Sequence, residues 1–238
     1  MDDKPVALDA YESMAERYAE AVRTKPHNAY LERPAIRALV PDIQGARVLD
    51  AGCGAGINLQ WLLDQGAREV VGVDVSPKMI ALARREVQSE RVSLHVADLR
   101  QPLDFLAAAS FDLVFSSLVV HYIEDQNALF AGFARLLRPG GWFVFSCHHP
   151  FNDYQHHTGS YFETRLVTEA WRMGGEPVAV SFYIRPLSAI AGALAQAGFI
   201  IERMTEALPT EDFRRADPQG YARCMEHPSF LCVRAWRS

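Results

Sequence analysis

The fold of this chain is decided by residues 47–56, which read Arg-Val-Leu-Asp-Ala-Gly-Cys-Gly-Ala-Gly. A short apolar run ends in Asp50, three glycines follow at every second position, and a helical pattern of apolar residues begins after them. Because glycine lacks a Cβ atom and reaches positive φ at little cost, such a turn lets a ligand approach the backbone. Unpaired N–H groups at the start of the next helix favour a polar ligand there. The stretch therefore predicts a strand, a glycine turn and a helix, with a ligand at the carboxyl end of the strand.

The spacing of the glycines narrows the choice of ligand. A dinucleotide-binding turn reads G-x-G-x-x-G. Counted from Gly52, its third glycine would fall at position 57, which is Ile57. The spacing here is G-x-G-x-G behind Asp50. This difference argues against a nicotinamide dinucleotide and leaves an NAD-linked oxidoreductase as the weaker alternative.

The length and composition are those of one globular domain. The chain has 238 residues, of which 49% are hydrophobic and 22% charged, and this allows one large core. The net charge of −5 gives no basic field for nucleic acid, and no apolar run reaches membrane-spanning length. The first residues lack the apolar core of a signal peptide, and the four cysteines show no C-x-x-C spacing. We therefore expect a cytoplasmic protein that binds neither nucleic acid nor a membrane.

Strand and helix patterns alternate five times in the first two thirds of the chain. This alternation predicts a parallel sheet with helices on both faces. An amphipathic helix over residues 9–23, with a capping box formed by Asp9 and Glu12, and a short helix over residues 34–40 precede the sheet. The predicted core strands cover residues 47–50, 69–74, 91–96, 111–115 and 142–145.

The alternation breaks after the fifth strand, in a stretch rich in tyrosine, phenylalanine and tryptophan. A helix over residues 187–197 and two further strands, 199–204 and 230–236, follow it. We expect one domain, residues 1–238. Its predicted parts are an N-terminal helical lid (1–42), a cofactor-binding core (43–150), an inserted substrate cap (151–185), and a C-terminal helix with two edge strands (186–238).

Three acidic residues follow three successive predicted strands: Asp50, Asp74 and Asp98. The carboxyl ends of parallel strands share one edge of the sheet, so these side chains should lie along one ligand site. Asp74 has the position at which nucleotide-binding folds place an acid on the ribose hydroxyls. A carboxylate at Asp98 suits the exocyclic amine of adenine, and Leu99 and Met79 could enclose the ring.

The run from Val48 to Cys147 resembles the core of the class I S-adenosylmethionine-dependent methyltransferases, of the small-molecule type that includes the ubiquinone and menaquinone methyltransferases. The resemblance covers nearly half of the chain and implies S-adenosylmethionine as cofactor, a helical cap near it, and a last pair of strands that is antiparallel. The segments 28–30 and 148–151 are similar to those of a bacterial subgroup. The matching motifs are Val48–Gly56, Val73–Ser76, Ala97–Leu99, Phe111–Tyr122 and Leu137–Gly141. The cofactor-binding residues predicted in this way are Tyr18, Asn28, Asp50, Gly52, Cys53, Gly54, Gly56, Asp74, Val75, Ser76, Met79, Asp98, Leu99 and Ser116.

Two differences from the motifs of related methyltransferase groups narrow the range of possible substrates. Nucleic-acid amino-methyltransferases carry N/D-P-P-Y/F after the fourth strand, whereas residues 116–119 here are Ser-Ser-Leu-Val, which does not support a flipped base. No carboxylate cluster of the kind that binds Mg²⁺ is evident. The histidines and the aspartate of residues 148–157 match no zinc-ligand spacing, so no metal is expected.

Candidate catalytic groups come from the ends of the fourth and fifth strands. His121, His148 and His149 lie there, and Tyr18 should face them from the lid. An imidazole with an ordinary pKa near 6.5 can take a proton from a phenol or ammonium acceptor. Aromatic side chains should form the rest of the substrate site, and those predicted are Tyr11, Tyr30, Tyr122, Tyr161, Trp171 and Phe182.

The sequence thus favours an enzyme that transfers a methyl group from S-adenosylmethionine to an oxygen or nitrogen of a small metabolite. A C-methyltransferase acting on an apolar metabolite is one alternative, and a cofactor-binding protein without transfer activity is another. We expect a monomer or a homodimer.

Overall fold

A computed structural model describes residues 4–172 and 175–238. A seven-stranded sheet has the order β3-β2-β1-β4-β5-β9-β8, and β6 and β7 form a separate antiparallel pair. Strands β1 to β5 are parallel, β9 is antiparallel to β5, and β8 is antiparallel to β9. The predicted seven-stranded, mostly parallel sheet is therefore confirmed. The strands are β1 Arg47–Ala51, β2 Glu69–Asp74, β3 Val92–Val96, β4 Phe111–Ser117, β5 Leu137–His148, β6 Arg165–Trp171, β7 Val178–Ile184, β8 Phe199–Glu206 and β9 Phe230–Arg237.

Helices cover both faces of the large sheet, as predicted. Successive side chains of a strand point to opposite faces, so Val48 packs into one core and Leu49 into the other. Helices α5 and α7 close the core around Leu49, and helices α2, α3 and α4 close the core around Val48. The helices are α1 Leu8–Thr24, α2 Arg33–Arg37, α3 Leu59–Asp64, α4 Pro77–Glu86, α5 Gln126–Leu136, α6 Pro150–His156, α7 Leu187–Gln196, α8 Glu211–Ala216 and α9 Pro218–Glu226.

The N-terminal segment differs from the prediction in two ways. The prediction of a capping box formed by Asp9 and Glu12 is wrong, because α1 begins at Leu8 without a side-chain cap. Glu12 instead accepts hydrogen bonds from the hydroxyl of Ser76 and from the backbone N–H of Lys78. The short helix also starts earlier than expected, because a π-helix over Asn28–Glu32 runs directly into α2. The first half of this segment is thus tied to the start of α4.

The inserted segment after β5 consists of α6 and the β6–β7 hairpin. Val180 of this hairpin is buried against Ala10 and Met14 of α1. The N-terminal helix and the inserted hairpin therefore pack on each other above the carboxyl edge of the sheet.

The C-terminal strands pair in antiparallel fashion, as the resemblance implied. The last strand, β9, lies inside the sheet, and β8 forms its edge. Helices α8 and α9 connect the two strands, and neither helix was predicted from the sequence. Within the described residues, no helix is long and apolar enough to cross a membrane.

The glycine turn after β1 depends on close packing at Gly52. This residue has φ +81°, and a Cβ atom there would lie 2.2 Å from Cγ2 of Val119. The N–H groups of Gly52 and Cys53 both donate to the carbonyl of Val73, at 2.7 and 3.0 Å. The backbone of the turn is thus held between the ends of β2 and β4, and at Gly52 there is no space for a side chain.

We predict that Gly52→Ala lowers the free energy of unfolding by about 2 kcal/mol or more, because positive φ and overpacking both oppose the methyl group. Urea denaturation measures this change. Gly132→Ala is the matched control: Gly132 lies in α5 with no atom within 4 Å of the added Cβ. That variant should gain about 0.5–1 kcal/mol. Equal effects of the two substitutions would contradict this account of the turn.

Candidate cofactor and acceptor site

The carboxylate of Asp74 closes the glycine turn. Its Oδ2 accepts from the N–H of Gly54 at 2.9 Å, and its Oδ1 accepts from the N–H of Ser76 at 2.9 Å. Burial raises the pKa of Asp74, and the hydrogen bonds from these two N–H groups offset only part of that rise. Each carboxylate oxygen can accept a second hydrogen bond, so the side chain still has acceptor capacity for the hydroxyls of a ligand.

A first cavity lies over this turn, with about 730 Å³ of free space that includes solvent at its mouth. Gly54 has φ +52°, and nothing lies within 4 Å of the Cβ position there, so the backbone faces open space. We call this the cofactor cavity. It is lined by Pro5, Val6, Ala7, Tyr11, Tyr18, Gly52, Gly54, Asp74, Val75, Met79, Asp98, Leu99, Ser117, Leu118, Val119, Tyr122 and Ile123.

The residues predicted to hold the adenine lie together in this cavity. Met79, Asp98 and Leu99 all line it. The carboxylate of Asp98 forms a 2.7 Å ion pair with Arg100 and also accepts from the backbone N–H of that residue. These contacts fix the position of the carboxylate at the end of the cavity.

Other predicted cofactor residues lie behind the cavity or in a neighbouring one. Ser76 caps α4, Ser116 donates to the carbonyl of Ala51, and Gly56 packs against Ala83. Asp50 is 1% exposed, and burial is the main reason that its pKa rises to about 8. Cys53 and Asn28 line an adjoining cavity of about 650 Å³, together with Tyr18, Ala19, Val22, Arg23, Glu32, Arg33, Gly52, Gly54, Ala55, Ile57, Asn58, Ser117 and Leu118.

A further cavity of about 670 Å³ lies on the side of the inserted hairpin. We call it the acceptor cavity. It is lined by Tyr11, Tyr18, Lys25, His27, Asn28, Leu118, His121, Tyr122, His148, Trp171 and Phe230.

Tyr18 and Leu118 line all three cavities, so the cavities meet at these two side chains. Leu118 has φ +56° directly after β4, a conformation that L residues rarely adopt and that often occurs at functional sites. Its N–H donates to the hydroxyl of Ser146 at 3.0 Å. Tyr11 packs edge-on against Tyr18 and shares a 2.8 Å hydrogen bond with the hydroxyl of Tyr122. The contact between the cofactor and acceptor cavities is therefore made by tyrosines from the N-terminal segment and by a strained residue of the core.

Two predicted histidines form a stacked pair beside the acceptor cavity. The rings of His121 and His148 lie 4.0 Å apart at an angle of 17°. His121 is 3% exposed, and neither of its ring nitrogens has a hydrogen-bond partner in the protein. Burial lowers the pKa of His121 well below its ordinary value and that of His148 to about 4. Both imidazoles are therefore neutral at neutral pH and able to accept a hydrogen bond.

The remaining predicted site residues divide into two groups. Trp171 and Tyr122 line the acceptor cavity, and Phe182 is buried with its ring edge-on to His148. Three others lie elsewhere. His149 caps α6 and approaches Glu206 at 3.2 Å, the hydroxyl of Tyr161 accepts from the N–H of Leu187, and Tyr30 packs towards α8 and α9. The structure does not bring His149, Tyr161 or Tyr30 to the acceptor cavity.

Sequence reasoning missed one buried acid that joins the N-terminal segment to the sheet. Glu32 ends the π-helix and is 3% exposed. Its Oε1 accepts from the hydroxyls of Ser117 at 2.8 Å and Ser146 at 2.5 Å, at the ends of β4 and β5. Burial raises its pKa. No pattern in the sequence indicates this role, because the π-helix turns Glu32 inward. Among the described residues, no group of three or more His, Cys, Asp or Glu side chains is arranged to hold a metal ion.

Comparisons with known proteins agree with this geometry. A family described as "Methyltransferase domain" matches residues 49–145. The solved structure of an S-adenosylmethionine-dependent methyltransferase from Mesorhizobium loti is 34% identical, covers 87% of this chain and 97% of that chain, and superposes with a TM-score of 0.71. This chain belongs to the S-adenosylmethionine-dependent methyltransferases, class I, of the small-molecule type. The cofactor of the family is S-adenosylmethionine.

The curated relatives match this chain over different lengths. A ubiquinone biosynthesis O-methyltransferase of Bordetella avium is 32% identical over 145 residues, which are 58% of this chain and 59% of the relative. A malonyl-[acyl-carrier protein] O-methyltransferase of Pseudescherichia vulneris is 28% identical over 237 residues, which are 90% of this chain and 92% of the relative. For several of the curated relatives, the matched part of the chain spans only about half of their length.

We predict that Asp74→Asn weakens binding of S-adenosylhomocysteine by about 1.5–3 kcal/mol, ten- to hundredfold, because a charged acceptor is lost. Isothermal titration calorimetry measures the affinity, and the melting temperature shows whether the fold is kept. Asp104→Asn is the matched control, since that side chain is 82% exposed and lies outside the cofactor cavity. Unchanged affinity in Asp74→Asn would show that this carboxylate does not hold the cofactor.

Proposed function

We propose that the protein transfers a methyl group from S-adenosylmethionine to an oxygen atom of a small metabolite. The observation that carries the proposal is His121, a buried imidazole with two unpartnered nitrogens beside the acceptor cavity. Such a polar group costs free energy unless a ligand completes its hydrogen bonds. An acceptor hydroxyl is a ligand of that kind. The names of the curated relatives, both O-methyltransferases, favour oxygen over nitrogen and carbon.

The cofactor would be held by the glycine turn, by Asp74 at the ribose and by Met79, Asp98 and Leu99 at the adenine. When bound, it supplies a methyl carbon on a cationic sulfur, whose S–C electron pair stays on sulfur as the new C–O bond forms. Tyr18 and Leu118 separate this cavity from the acceptor and set the line of approach. The roof formed by the N-terminal segment and the inserted hairpin excludes water, which aids a displacement of this type.

The two histidines would act mainly by orienting the acceptor hydroxyl. His148, with a pKa of about 4, is a weak base at neutral pH, and His121 is weaker than an ordinary imidazole for the same reason, burial. The prediction that His121 and His148 act as bases with a pKa near 6.5 is therefore wrong. His121 would accept the hydrogen bond of the acceptor hydroxyl and take up its proton as the oxygen is alkylated, and the proton would pass from the imidazole to solvent once the product has left.

The wider organisation is part of the same proposal. Residues 1–42 would act as a lid, 43–150 as the cofactor-binding core, 151–185 as the substrate cap, and 186–238 as the C-terminal helix with its edge strands. We propose a cytoplasmic enzyme, monomeric or homodimeric, without a nucleic-acid partner. The net charge of −5 supports the last point.

Methyl transfer is tested by incubating the protein with methyl-labelled S-adenosylmethionine and metabolite pools, and by reading labelled products by mass spectrometry. On the acceptor identified, His121→Phe should lower turnover at least about tenfold. The same variant should keep or raise the melting temperature, because phenylalanine removes two unpartnered nitrogens. Its affinity for S-adenosylhomocysteine should not change.

His156→Phe is the control, because His156 is exposed on α6 and outside the acceptor cavity. It should keep full turnover. Cofactor binding without any labelled product would instead support a non-catalytic binding protein. Full turnover in His121→Phe would remove this histidine from the mechanism.

A further inference from the structure

Leu118 lies where the cofactor, acceptor and adjoining cavities meet, and its backbone is strained there. Its φ of +56° falls in the left-handed region, which a leucine keeps only where its surroundings impose it. The residues on either side, Ser117 and Val119, also line the cofactor cavity. The groups that hold Leu118 in place therefore determine the shape of the junction between the cavities.

The sheet itself does not hold Leu118. The ladder between β4 and β5 ends at the pair Ser117 and Ser146, so Leu118 is the first residue beyond it. Its N–H donates to the hydroxyl of Ser146 at 3.0 Å and is also shared with the carbonyl of Ser146 at 3.2 Å. Ser146 is fully buried and lines none of the three cavities. It thus fixes the amide of Leu118 without facing a ligand itself.

One carboxylate oxygen connects the two serine hydroxyls at the end of this ladder. Ser117 and Ser146 are register neighbours on parallel strands, so their side chains point to the same face of the sheet. Both hydroxyls donate to Oε1 of Glu32, at 2.8 and 2.5 Å. Because the hydroxyl proton of Ser146 is directed to Glu32, the lone pairs of its oxygen are left for the N–H of Leu118.

The result is a chain of hydrogen bonds from the N-terminal segment to the junction of the cavities. Glu32 holds the residue before Leu118 through one hydroxyl and Leu118 itself through the other. Each bond of such a chain strengthens the next by polarisation. Glu32 ends a π-helix, an irregular element that is frequent at functional sites.

We propose that Glu32 is a positioning residue for methyl transfer, which acts through Ser146 to hold Leu118 and so keeps the cofactor and acceptor cavities aligned for in-line attack. This inference rests on the proposed function, because it assigns a further residue to the same reaction. Alignment affects the displacement more than the binding of either ligand. Loss of the chain should therefore lower kcat and leave KM and cofactor affinity nearly unchanged.

Ser146→Ala is the most direct test, because it breaks the chain at a residue outside the cavities. In the protein saturated with S-adenosylhomocysteine, amide hydrogen exchange of Leu118, followed by NMR, should become about fivefold faster or more. With the acceptor found in the methyl-transfer assay, kcat should fall at least about tenfold. The KM for the acceptor and the affinity for S-adenosylhomocysteine should change less than about twofold.

Two further variants separate positioning from general stability. Glu32→Leu should lower kcat as Ser146→Ala does, whereas Glu32→Gln should keep at least about half of kcat, because its amide oxygen still accepts from both hydroxyls. In Leu118→Gly the positive φ costs little. Adding Ser146→Ala to that variant should therefore change kcat less than about twofold, since the chain no longer has a strained residue to hold.

Ser110→Ala is the matched control. Ser110 lies at the other end of β4, and its hydroxyl donates to the carbonyl of Ala107. This variant should leave both the exchange of Leu118 and kcat unchanged. The inference is overturned if Ser146→Ala does not speed the exchange of Leu118, if kcat is retained, or if the effect on kcat is equally large in Leu118→Gly. The exchange measurement needs no methyl acceptor, so its failure is distinct from a failure of the proposed function.

Discussion

The site depends on one half-buried carboxylate, that of Asp74, which accepts hydrogen bonds from two backbone N–H groups. Asp74 holds Gly54 of the glycine turn with one oxygen and Ser76 at the start of α4 with the other. A buried carboxylate is costly unless such donors compensate it. The end of β2 therefore fixes both the turn after β1 and the first turn of the next helix, and the open space above Gly54 exists because these three elements are held in register.

The N-terminal segment is attached to this edge of the sheet at separate points. Glu12 is hydrogen-bonded to Ser76, and Tyr11 is hydrogen-bonded to Tyr122. Glu32 accepts hydrogen bonds from the serine hydroxyls at the ends of β4 and β5. The roof over the cavities thus uses polar contacts to strand ends that also line the site.

The core was predictable because its signals are local. Apolar strands, glycines and strand-end acids follow short-range rules, and the order of the motifs was sufficient to predict the sheet. The π-helix, helices α8 and α9, and the inward position of Glu32 depend on tertiary packing that periodicity does not encode. The same limit explains the position of His149. Because it directly follows His148 in the sequence, both histidines were predicted to lie at the acceptor site. In the fold, alternation along the end of β5 directs one ring to the acceptor cavity and leaves the other to cap α6.

The central claim is that the cofactor and acceptor cavities meet at Tyr18 and Leu118. A crystal structure with S-adenosylhomocysteine tests it most directly. The account predicts the ribose at Asp74, the adenine beside Met79 and Leu99, and the sulfur next to Tyr18 and Leu118, facing the His121–His148 pair. A sulfur atom directed away from these side chains, with the acceptor cavity closed off from it, would contradict the account.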